Sequence, residues 1–114
     1  MTDCLFCSIA AGDIPATMVH DGAEVLAFRD INPQAPVHIL VIPRVHLASA
    51  ADLTPAHDGL WAQMLRVTQS LAESEGIARE GFRVVTNVGH NGGQTVNHLH
   101  LHLLGGRAMG WPPG

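Results

Sequence analysis

Basic side chains are scarce: of 114 residues only 6 are Lys or Arg, against 10 Asp or Glu, for a formal charge of −4. Coating a nucleic-acid backbone needs a basic patch, so no nucleic-acid partner is expected. A single small phosphate stays within reach, because backbone N–H groups and imidazoles can hold one. Cysteine is limited to Cys4 and Cys7, too few for a disulfide framework. No basic segment precedes an apolar run at the start, and no apolar stretch reaches membrane-spanning length. The expectation is a cytoplasmic chain with no membrane contact. Repeats, low-complexity tracts and linkers are lacking too, and 114 residues suit one domain, 1–114, rather than two. With 46% hydrophobic and 14% charged residues the composition is that of a folded domain. A chain this short gains from dimerisation. Histidine, with 8 residues, is what the chain has in excess.

Residues 4–12 read as a short helix or turn ending at Gly12. Met18–His20 and Val25–Arg29 flank an Asp21-Gly22 turn and predict a hairpin. Val37–Ile42 is a central strand, rich in β-branched residues and stopped by Pro43. Thr54 and Pro55 predict a helix start, with Thr54 as N-cap and Pro55 at the first helical position. Leu60, Met64, Val67 and Leu71 supply an apolar stripe, and Gly76 closes the helix. Phe82–Asn87 is a further strand, and Val88–Gln94 a glycine-rich loop. Strands, one long helix, then strands favour an antiparallel α+β domain over a parallel doubly wound one.

Three groups of residues carry chemistry. His98, His100 and His102 alternate with Leu99, Leu101 and Leu103. On a β-strand the leucines would face a core while the three rings line one exposed groove. Histidine titrates near neutrality, binds metals and can act as a nucleophile. Gly92-Gly93 lets main-chain N–H groups approach a phosphate, and Asn87 and Thr95 add side-chain donors beside the rings. Cys4-Leu-Phe-Cys7 fits half a zinc site, a redox pair or two buried thiols. Zinc would need two further ligands, for which His46 and one triad histidine are the natural partners and His38 the spare. Asp30, just after a strand, can accept hydrogen bonds from ribose hydroxyls. His38 reads either as a satisfied core histidine or as a partner that orients a triad ring. His20, His57 and His90 read as exposed and incidental.

The run His98-Leu-His-Leu-His-Leu-Leu104 resembles the signature of the histidine triad superfamily. Phe28–Pro43 and Asn87–Val96 are similar to its other two blocks, and Gly105-Gly-Arg107 with Trp111–Gly114 resembles its Hint branch of nucleoside phosphoramidases. The resemblance implies a five-stranded antiparallel sheet with one long and one short helix, two such sheets joining across a homodimer. It implies hydrolysis of purine nucleoside phosphoramidates through a nucleotidyl-histidine, with His100 as nucleophile, His102 on the phosphate and the leaving amine, and His38 beside them. Asp30 would hold the ribose, and Phe6, Ile9, Phe28 and Ile31 would surround the base. Asn87, Gly93, Thr95 and His102 would hold the phosphate, with Val96 next to them, and Trp111 would lie near the partner's active site. In bacterial relatives the CxxC pair binds zinc with the histidines matching His46 and His98, which implies structural zinc on Cys4, Cys7, His46 and His98. A dinucleoside polyphosphate hydrolase of the Fhit type, a nucleotidyltransferase and a non-catalytic nucleotide-binding scaffold are the competing readings.

Overall fold

A computed structural model describes residues 4–114; Met1–Asp3, where the absence of a leader was read, lie outside the described residues. The element order is α1 (Leu5–Ala10), β1 (Met18–Asp21), β2 (Val25–Arg29), β3 (Val37–Pro43), α2 (Asp58–Ser74), β4 (Phe82–Val85) and β5 (Leu101–Gly105). The strands form one five-stranded antiparallel sheet in the order β1-β2-β3-β5-β4.

β2 from Val25 to Phe28 and β3 from Ile39 to Ile42 are apolar without interruption because both faces of the sheet are covered there. Val25, Ala27, Ile39 and Val41 pack with Leu99, Leu101 and Leu103 against Met64, Leu71 and Ala72 of α2. Leu26, Phe28, Leu40 and Ile42 turn to the opposite face, where Phe6 and Cys4 cover them. The leucines of the histidine run therefore bury under the long helix, and the histidines share the other face with α1.

The ladder is shorter than the alternation suggests. β5 begins at Leu101, so of the three histidines only His102 lies in a strand. β3 pairs with β5 from Val37↔Gly105 to Val41↔Leu101 and no further. Pro43, at the end of β3, has no N–H to offer a ladder, and the His98 ring lies against its carbonyl oxygen at 2.8 Å. Loop partners hold this stretch instead: Leu99 N–H donates to the Leu47 carbonyl at 2.6 Å, and Thr86 Oγ1 donates to the His100 carbonyl at 2.9 Å.

The long helix also starts later than Pro55. Thr54 precedes a 3₁₀ turn, Pro55–His57, which runs into α2 at Asp58. His57 is not incidental there, since its Nδ1 accepts the Thr54 backbone N–H at 2.9 Å. Gly76 follows the helix with φ of +76°, the left-handed value that ends many helices.

Candidate active site and metal centre

On the α1 face, a cleft of about 260 Å³ lies between α1, the end of β2 and the histidine segment. Phe6, Ile9, Phe28, Asp30, Ile31, Thr95, Val96, His100 and His102 all border it. Asn87, Gly93 and Trp111 do not. Ile14, Pro15, Ala16 and Leu40 also line it, and the sequence reading had not singled them out. Phe6 is the hinge of the arrangement: its ring meets Phe28 edge-on at 5.5 Å and His100 at 5.1 Å.

The rings are not equivalent: His100 and His102 border the cleft and His98 does not. His98 and His100 are buried, at 0% and 4% exposure. Nδ1 of His100 sits 2.7 Å from the His98 carbonyl oxygen, which can only accept. The His100 proton therefore sits on Nδ1, and Nε2 keeps its lone pair. Burial lowers the pKa of His100, opposed by that hydrogen bond and by the charge of Asp30, so the ring is neutral at pH 7. The pKa of His102 is lowered to about 4, by burial first and then by His100 and His38.

His38 is buried and bridges these groups. Its Nε2 lies 2.9 Å from His102 Nδ1 and 3.4 Å from Asp30 Oδ2. Its Nδ1 accepts the Gln34 backbone N–H at 3.0 Å. Burial lowers its pKa, with Asp30 opposing. Asp30 itself accepts the Asn32 N–H on Oδ1 at 2.8 Å.

The glycine-rich loop is braced from within. Asn87 Nδ2 donates to the Gly92 carbonyl at 2.6 Å rather than into the cleft. Gln94 accepts the Gly89 N–H at 2.9 Å and donates to the carbonyls of Ala48 and Val96 at 2.7 and 3.0 Å. Gly92 is required by loop closure itself, since a Cβ there would fall 2.2 Å from the Val88 carbonyl oxygen. Gly93 has φ of +78°, which suits glycine. The bracing roles of Gln94 and Thr86 had no signal in the sequence, because their partners are main-chain groups, among them the Ala48 and His100 carbonyls that only the fold brings close.

A second cluster lies beside the first. Cys4, Cys7, His46 and His98 each direct one ligand atom to a common point. Cys4 Sγ is 3.3 Å and Cys7 Sγ 3.5 Å from His98 Nδ1; His46 Nδ1 is 3.3 Å from Cys7 Sγ and 3.2 Å from His98 Nδ1. A zinc tetrahedron with Zn–N of about 2.0–2.1 Å and Zn–S of about 2.3 Å has edges of roughly 3.3–3.8 Å. The protons agree with the distances. His98 donates from Nε2 to the Pro43 carbonyl, so its Nδ1 offers a lone pair to the cluster. Burial raises the Cys7 pKa, with Cys4 adding to it through a hydrogen bond and its charge; a bound dication would reverse this and draw out the thiolate.

The HIT domain family matches residues 11–109. The chain belongs to the HIT family. It is 43% identical over 106 residues to a purine nucleoside phosphoramidase of Escherichia coli (strain K12), covering 93% of this chain and 89% of that one. A 14 kDa zinc-binding protein of Zea mays is 48% identical over 112 residues, covering 96% and 87%. A solved HIT family hydrolase from Legionella pneumophila Philadelphia 1 superposes with a TM-score of 0.97 at 53% identity, covering 98% of this chain and 100% of that one. Two of these relatives, the phosphoramidase and the HIT family hydrolase, carry hydrolase names, and the antiparallel sheet with one long helix is the HIT fold. Cys4 and Cys7 precede the matched domain, yet they reach the HIT histidine segment through His98.

Proposed function

We propose that the protein hydrolyses purine nucleoside phosphoramidates, releasing the nucleoside monophosphate through a covalent intermediate on His100. The observation that carries this reading is the His100 proton position. With Nδ1–H committed to the His98 carbonyl at 2.7 Å, the Nε2 lone pair is available in a neutral, buried ring that borders the cleft. Phe6, Ile9, Phe28 and Ile31 supply an apolar wall for the base. Asp30, with Oδ2 not taken by Asn32, supplies an acceptor for ribose hydroxyls.

In the first step Nε2 of His100 bonds to phosphorus as the P–N bond to the amine breaks. The amine leaves with a proton taken from water. His100 then carries the nucleotidyl group on Nε2 and its proton on Nδ1, a cationic ring whose N–H is held by the His98 carbonyl. His102 and Thr95 hydrogen-bond the phosphoryl oxygens, with the Gly93 N–H and the Asn87 amide reached by adjustment of their loop. Water next bonds to phosphorus and gives a proton to the hydroxide left by the first step, the N–P bond to His100 breaks, and the nucleoside monophosphate is released.

Cys4, Cys7, His46 and His98 would hold zinc in a closed structural site. When bound, the metal supplies rigidity: it ties α1, and with it Phe6, to the segment whose carbonyl orients His100. We also propose a homodimer. β4 is an edge strand, its Phe82 and Val84 are exposed at 39% each, and the tail beside it is held by Arg83 donating to the Gly110 carbonyl at 2.8 Å. Trp111 is 83% exposed and borders no part of its own cleft, which suits contact with a partner's site.

Incubation with an adenosine phosphoramidate, with AMP release as readout, tests the activity. Turnover should fall on the order of 10³-fold or more in His100→Ala. Undiminished turnover in that variant removes the nucleophile assignment. Faster release from a diadenosine polyphosphate than from the phosphoramidate replaces the proposed substrate class.

A further inference from the structure

Beside the nucleophile runs a chain of hydrogen bonds whose directions are all fixed by its first member. The Gln34 backbone N–H can only donate, and it donates to Nδ1 of His38 at 3.0 Å. That nitrogen holds a lone pair, so neutral His38 carries its proton on Nε2. Nε2 of His38 stands 2.9 Å from Nδ1 of His102, closer than the 3.4 Å to Asp30 Oδ2. Nδ1 of His102 must then accept, and the His102 proton sits on Nε2. The peptide that starts the chain is itself pinned. Gln34 Nε2 donates to the Asn32 carbonyl at 3.0 Å, and the Gln34 carbonyl accepts from Arg107 Nε at 3.1 Å.

We propose that the Gln34 main-chain amide is a positioning group for the phosphate site: it holds His38, and through it His102, as Nε2–H tautomers, making His102 a neutral donor. The use of that donor rests on the phosphoramidase reading; the tautomers do not. The same constraint separates Asp30, His38 and His102 from the cysteine cluster, although they too could be taken for a metal site. A cation there would need a lone pair on His38 Nε2, which moves the proton to Nδ1 and turns it against the Gln34 N–H. A doubly protonated His102 meets the same obstacle, because its Nδ1–H would face the Nε2–H of His38. The titratable groups facing His102 are His38 on β3, His100 on the segment before β5 and Asp30 after β2. Only the carboxylate favours the charged ring.

The test is the tautomeric state of the histidines in the full-length protein as purified. Long-range proton–nitrogen correlation spectra of ¹⁵N-histidine-labelled protein at pH 7.5 should show Nε2–H for both His38 and His102. An Nδ1–H tautomer at either ring overturns the proposal. Gln34→Pro removes the N–H while keeping the carbonyl. In that variant His38 is free to invert, and the His102 pKa should rise by about one unit, a tenfold gain in proton affinity. An unchanged His102 titration in folded Gln34→Pro overturns the proposal as well. Should the variant not fold, the wild-type spectrum decides alone. Correct tautomers without turnover of an adenosine phosphoramidate would remove the activity and leave this inference standing; turnover with an inverted His38 would do the reverse.

Discussion

His102 links protonation to folding. Its folded pKa is held down to about 4, against an ordinary 6.5. Between those values the unfolded chain binds a proton that the folded chain refuses, so acid favours unfolding across that window and the effect levels off below pH 4. Burial shifts His38 in the same direction. The urea midpoint should therefore fall steadily from pH 7 to pH 4.5, and His102→Gln should flatten the slope. A midpoint independent of pH over that range would show that these rings titrate normally in the fold. At Cys4 the prediction concerns metal content. Protein purified without chelator should contain about one zinc per chain and Cys4→Ser far less, by elemental analysis, because a closed tetrahedral site needs all four ligands. Metal-free wild type would leave Cys4 and Cys7 as ordinary thiols.

At the scale of elements, the histidine segment shows what alternation can and cannot reveal. A period of two placed Leu99, Leu101 and Leu103 under α2 and the rings on the other face, and the structure has them there. It could not tell that the ladder stops at Leu101, because that depends on Pro43 and on the His98 ring meeting across 55 residues. β2, β3 and the hairpin were legible because continuous apolar runs and an Asp-Gly turn are local signals. Gln34, Thr86 and Gln94 were not legible, because each acts through a main-chain group or on one. Glycine is intermediate: Gly92-Gly93 was visible as a pair, but the crowding against Val88 that demands Gly92 appears only in three dimensions. Two substitutions separate packing from loop geometry. Leu103→Ala, at a site with 0% exposure, should cost about 2–5 kcal/mol in chemical denaturation, the usual range for a leucine cavity. Gly92→Ala should change the unfolding free energy by no more than about 1 kcal/mol, since the loop lies outside both cores. Its AMP release should nevertheless drop, because Asn87 and Gly93 shift with the loop. Equal losses of stability in the two variants would place the loop among the core elements.

For the whole molecule, the surface that neither the core nor the cleft uses is the β4 edge of the sheet, with the tail beside it. The core lies between α2 and the sheet, and the chemistry lies on the far face under α1, so neither occupies the β4 edge. An edge strand of four residues with exposed Phe82 and Val84 is open to pairing with another chain. Leu65 on α2 is exposed as well, at 43%. If a second copy covers that edge, a charge placed on it must be buried without a partner or the copies must separate. Val84→Glu should therefore sediment as a monomer where the wild type sediments as a dimer. Because Trp111 is proposed to reach the partner's site, the monomer should keep its fold by circular dichroism and still lose discrimination between leaving amines, matching Trp111→Ala in that respect. A wild type that sediments as a monomer at micromolar concentration would leave the edge bare, and Trp111 would then have no site to complete.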